Sequence, residues 1–127
     1  MFVDRQIIDL LNRLKDAQVD LAAYVHMRKA KGYMSVSESN HLRDNFFKLN
    51  RELHDKSLRL NLHLDKDEWS ALHHAEEALA TAAVCLMSGY HDCPNFITVN
   101  ADKLENCLMS LTLSIQSLEK HTMLEQA

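Results

Sequence analysis

Only two glycines and one proline punctuate 127 residues, against roughly 12% glycine plus proline in an average protein, and this scarcity of turn formers constrains the fold more than any other feature. A chain that can rarely reverse must run in long segments. The 20 leucines, 12 alanines and 6 methionines outnumber the 6 valines and 4 isoleucines, which favours helix over strand. An all-β domain, a disordered chain and a disulfide-rich scaffold are excluded on this ground. At this length one hydrophobic core is expected, so residues 1–127 read as a single helical domain.

The rare breakers and the capping residues divide the chain into four helices, over about 5–31, 36–63, 66–88 and 101–124. Asp4 is placed to cap the first, whose apolar stripe is Ile7, Leu10, Leu14, Ala17, Leu21 and Tyr24 or Val25. Arg28, Lys29 and Lys31 put cations at its C-terminal end, where the helix dipole is negative, and Gly32 can take the left-handed cap conformation. Ser35-Val36-Ser37-Glu38 reads as a capping box opening the second helix, with Leu42, Phe46, Leu49, Leu53, Leu60 and Leu64 as its stripe. Asp65-Lys66-Asp67-Glu68 repeats the box, with Leu64 and Trp69 as a hydrophobic staple. The third helix then presents Trp69, Leu72, Ala75, Leu79, Ala82 and Leu86 and stops at Gly89. Residues 90–99 are expected to be a loop around Cys93-Pro94. Within it Phe96-Ile97-Thr98-Val99 can extend but has no strand to pair with. Asn100 caps the fourth helix, whose stripe is Leu104, Leu108, Leu111, Ile115 and Leu118. Long helices joined by mostly short links predict an all-α, antiparallel up-down-up-down four-helix bundle.

The net charge of −4 is unevenly spread, with +3 on residues 1–64 and −7 on residues 65–127, which is expected to draw the two helical hairpins together or, alternatively, to give a polarised surface that steers a partner. No stretch has the 18 or more apolar residues of a membrane span, and Met1-Phe2-Val3-Asp4-Arg5 does not read as a secretory leader. A cytoplasmic protein is expected. Cys85, Cys93 and Cys107 form no CxxC pair, which fits reduced thiols; Cys85 and Cys107 fall where small core residues belong.

Eight histidines invite a search for chemistry. His73 and Glu77 share a helix face, and His91-Asp92-Cys93 supplies a nitrogen and a thiolate, so these residues are the candidates for a metal or ligand site near residues 89–99. A di-iron bundle requires two inward Glu-x-x-His motifs, and only Glu38-Ser39-Asn40-His41 fits the spacing, with Glu38 already used as a cap. His54-Asp55-Lys56-Ser57 lacks the glycine that follows the acceptor in histidine phosphotransfer bundles. Gly32 suggests a helix-turn-helix, but Arg28 stands where a small residue is wanted, the flanking helices are too long, and the pI near 6.0 gives little field for phosphate. Direct DNA contact, catalysis and a resident cofactor or metal are not expected.

Helix phase yields a more informative pattern. Phe47, Leu58 and Leu62 project about 140° to 200° from Leu42, and Met109, Leu113 and Leu124 project equally far from Leu104, so the second and fourth helices carry a second apolar side. These six residues either widen the core face of their helices or form a dimer or partner surface, and the second is the reading carried forward.

Five stretches carry a likeness to a known family: Met1-Phe2-Val3-Asp4-Arg5-Gln6, Arg28-Lys29-Ala30-Lys31-Gly32-Tyr33-Met34-Ser35, Asp44-Asn45-Phe46-Phe47-Lys48-Leu49-Asn50-Arg51-Glu52-Leu53, Trp69-Ser70-Ala71-Leu72-His73-His74-Ala75-Glu76-Glu77 and Asn100-Ala101-Asp102-Lys103-Leu104-Glu105-Asn106-Cys107. Through them the whole chain resembles a family of small biofilm regulators of enteric bacteria. The resemblance implies a cytoplasmic repressor of biofilm formation that affects genes of catabolite repression, stress response and indole and autoinducer signalling. It brings no catalytic, metal or DNA-contact residues. The residues and the resemblance together point to a non-enzymatic regulator that works by protein–protein interaction, as a homodimer with an unidentified regulatory protein partner. The alternative is a small-ligand or metal sensor using His73, Glu77, His91 and Cys93.

Overall fold

The computed structural model describes the backbone of residues 2–87, 90–93 and 96–126 and the side chains of residues 5–87 and 97–120. Four helices dominate: α1 (Phe2–Lys31), α2 (Val36–Leu60), α3 (Lys66–Met87) and α4 (Ala101–Gln126). α1 begins at Phe2, so Asp4 lies inside its first turn and does not cap it. At its other end Gly32 adopts φ +83° and its N–H donates to Arg28 O at 2.8 Å, the left-handed closure that only glycine makes cheaply.

The caps hold α2, α3 and α4 in place. Ser35 Oγ accepts from the Glu38 amide at 3.0 Å, and Asn100 Oδ1 accepts from the Lys103 amide at 3.0 Å. The Asp65–Glu68 box closes in both directions, since Glu68 N–H donates to Asp65 Oδ1 at 2.8 Å and Asp65 N–H donates to Glu68 Oε1 at 3.3 Å. α2 stops at Leu60, three residues before its expected end, because His63 and Leu64 amides both turn back onto Leu60 O.

α3 packs on α2 and α4, and α4 packs on α1, whereas α1 and α2 share a thinner seam. Cross-helix pairs give the directions. Lys15–Glu119 and Lys29–Glu105 set α1 antiparallel to α4, and Arg13–Glu52 with Tyr24–Ser39 do the same for α1 and α2. The Ser39 hydroxyl spends its proton on Ser35 O at 2.9 Å, so the Tyr24 phenol donates to Ser39 Oγ at 2.6 Å. Burial pushes that phenol's pKa up and keeps it a donor.

The core gathers the expected stripes with Cys85 and Cys107, as expected of small core residues, and adds Ala71, Ala78 and Ala83. Leu64 and Leu108 reach it only in part. The expected contact face of α3 needs one correction: Trp69 is 46% exposed, and Glu68 is buried in its place. Glu68 stands one helical turn before Leu72 and is drawn inward by its cap, while Trp69 lies about 100° further round.

A second correction concerns residues 90–99. Met34–Ser35 (β1), Tyr90–Cys93 (β2) and Phe96–Thr98 (β3) form a three-stranded antiparallel sheet in the order β1-β3-β2. β3 does find partners, with Met34 opposite Ile97 and Ser35 opposite Phe96 on one side, and Tyr90 opposite Thr98 and Cys93 opposite Phe96 on the other. The partner strand β1 comes from the α1–α2 connection, which the helix directions bring to the same end as the α3–α4 connection. Met34, Ile97 and Val99 are buried there, and Arg28 Nε donates to Val99 O at 3.0 Å.

Candidate interaction face

α3 is the helix against which the candidate site is built, because α2 and α4 lie on either side of it. On one side His54, Ser57 and Leu58 of α2, with Asn61 just past its end, face Trp69, His73 and Glu76 across a groove of about 420 Å³. On the other, Ser110, Leu113, Ser114 and Ser117 of α4 face Asp67, Ser70, Ala71 and His74 across a groove of about 360 Å³. Both grooves are shallow and open. Two polar contacts fix the first: His54 Nδ1–H donates to Glu76 Oε1 at 2.9 Å, and Asn50 Nδ2 donates to Glu76 O at 2.6 Å.

Four of the expected outer apolar side chains face solvent, and of these Leu58 and Leu113 line the two grooves. Leu58 is 65% exposed and Leu62 93%, on the α2 side; Met109 is 65% and Leu113 61% exposed, one turn apart on α4. Phe47 departs from the expectation, since it is half-buried against the core and serves the core edge more than an outer surface. Leu124 lies outside the described side chains. Trp69 joins the face without having been expected there. Its ring stacks on His73 with centroids 5.0 Å apart and planes 7° from parallel. The signal for it was present in the helix phase, because Leu72, Ala75, Leu79, Ala82 and Leu86 define a core line that passes through position 68 and misses 69.

The metal candidates do not assemble within the described part of the chain. His73 Nε2 stands 3.9 Å from Glu77 Oε1, both are exposed, and among the described residues no three His, Cys, Asp or Glu side chains converge. The His91 and Cys93 side chains lie outside the described residues. Sequence-adjacent histidines diverge: His73 faces the α2 groove and His74 the α4 groove.

Cys85 and Cys107 line a further α3–α4 groove of about 490 Å³ with Val84 and Lys103, and both thiols are buried and free. Burial pushes the Cys107 thiol up to about 11, with a smaller contribution from Cys85, and burial also raises Cys85. Both therefore remain neutral and weakly nucleophilic at pH 8. Because the folded-state pKa exceeds the ordinary 9.0, burying the neutral Cys107 thiol stabilises the fold fully below pH 9 and loses that contribution as pH rises toward 11. Site-resolved mass spectrometry of iodoacetamide labelling at pH 8 should find Cys107 reacting at least tenfold more slowly in native than in urea-unfolded protein. Equal rates would contradict its burial.

A family model described as biofilm formation protein (YliH/bssR) matches residues 1–126. Proteins named biofilm regulator BssR from Escherichia coli strain K12, Escherichia coli O157:H7 and Shigella flexneri are each 90% identical to this chain over 127 residues, covering 100% of both chains. No solved structure matches the chain.

Proposed function

The chain belongs to the YliH/bssR family of biofilm formation proteins, and from that membership we propose that it regulates biofilm formation as a non-enzymatic, cytoplasmic repressor that binds other proteins. Its partners are a second copy of itself and a regulatory protein, held on the outer faces of an up-down-up-down bundle. Effects on genes of catabolite repression, stress response and indole and autoinducer signalling then follow from protein binding and not from DNA contact.

One observation supports this reading above others: Leu58, Leu62, Trp69, Met109 and Leu113, on or beside three successive helices, are 46–93% exposed. Single exposed leucines need no explanation, but five large apolar side chains flanking one helix form the kind of surface that partners cover. The grooves beside them are lined by serines, histidines, an asparagine and the carboxylates of Asp67 and Glu76, together with Leu58, Trp69, Ala71 and Leu113.

Leu58→Glu with Leu113→Glu tests the reading in cells lacking the native gene. Both positions are on the surface, so stability should change by no more than about 0.5 kcal/mol per site. The double variant should melt like the parent protein and yet fail to restore repression of biofilm mass. Full restoration by a folded double variant would refute binding through this face.

A further inference from the structure

We infer that the exposed ridge of α3 is a self-association seam, on which a second copy of the chain docks with its own α3 antiparallel. The inference rests on the protein-binding reading above and goes further by naming the helix, the occupant and the register. Leu58 and Leu113 belong to different helices, but each borders a groove whose other wall is the first two to three turns of α3. A partner that covers both must therefore lie across α3. The ridge between them carries Lys66, Trp69, Ser70, His73 and Glu77, with the Trp69–His73 stack at its middle.

The order of charge along this ridge selects the occupant. Lys66 stands at one end and Glu77 at the other, both exposed and 11 residues apart, or about 16 Å along the axis. Asp67, the neighbouring acid, is turned into the α4 groove. A parallel copy would set Lys66 against Lys66 and Glu77 against Glu77. An antiparallel copy related by a twofold axis sets Lys66 against Glu77 of the partner subunit at both ends, and the same register puts Ser70 opposite His73 of the partner subunit. A small residue thus meets a ring at the centre. Trp69 is the anchor of such an interface, because a half-exposed indole combines a large apolar area with a ring that stacks, and tryptophan is enriched among the residues that carry binding energy.

Sedimentation velocity on the purified full-length chain, across concentrations from about 1 to 100 µM, tests the seam, with circular dichroism melting to verify that each variant is folded. The parent chain should sediment as a dimer at the upper end. Trp69→Ala should weaken dimerisation about 30-fold and Lys66→Glu about tenfold, whereas Lys66→Glu combined with Glu77→Lys should return to within about threefold of the parent. Recovery in the double variant cannot come from a merely structural role of either residue. A parent dimer whose affinity ignores all three variants would overturn the α3 seam while leaving self-association in place. A parent chain that stays monomeric at 100 µM would overturn both the seam and the homodimer, leaving the face to a different protein.

Discussion

Replacing Leu72 with alanine is expected to lower the unfolding free energy by about 2–5 kcal/mol, a large share of the roughly 5–15 kcal/mol that holds a domain together. Leu72 is fully buried on α3, the helix that packs on both α2 and α4, and its neighbours in the core line are Ala71 and Ala75. Alanines have no side-chain reach with which to fill the cavity, so the loss should fall toward the upper part of that range. Urea or thermal unfolding followed by circular dichroism would read it as a drop in Tm on the order of 10 °C. Leu113→Ala is the control, since the same truncation at a 61% exposed site should cost no more than about 0.5 kcal/mol. Equal losses at the two sites would mean that the core and the outer face have been interchanged.

The second large effect belongs to the small sheet. If residues 96–99 were a loop, trimming Ile97 would be nearly silent. Because Ile97 is buried opposite Met34 in the β1–β3 pair, Ile97→Ala should cost about 2–4 kcal/mol. A cycle with Met34→Ala makes the test specific, because residues that pack across a strand pair should show a coupling energy above about 0.5 kcal/mol. Additive losses from the two substitutions would show that the strands do not share a packed surface. The cost should also exceed what two-residue β1 alone could provide, since Arg28 and the buried Val99 brace the same end of the helices.

Much of the helical frame was written locally. Gly32, the Ser35 and Asn100 caps and the Asp65–Glu68 box each act within four residues of the boundary they set, and each makes the hydrogen bond that its chemistry suggests. The α1, α2 and α4 stripes were legible for the same reason, because a 3.6-residue period repeats many times over 25 to 30 residues and fixes the buried side of each helix. Trp69 was misplaced by an appeal to hydrophobicity where phase was the better guide: a residue next to the core line is not on it. Phe47 shows the converse, since its projection is outward yet its ring is large enough to reach back to the core edge.

By themselves the residues determined the number of helices, the capped starts of α2, α3 and α4, the glycine stop of α1 and most of the side that each helix buries, because scarce breakers, side-chain caps and periodicity act over short distances along the chain. Tertiary structure alone decided that Met34 pairs with Ile97, 63 positions away, and that the outward leucines of α2 and α4 flank a common α3 ridge. Neither arrangement has a local signature. Strand pairing needs a partner brought from another connection, and an interaction face needs the packing order of helices, both of which exist only once the bundle has closed.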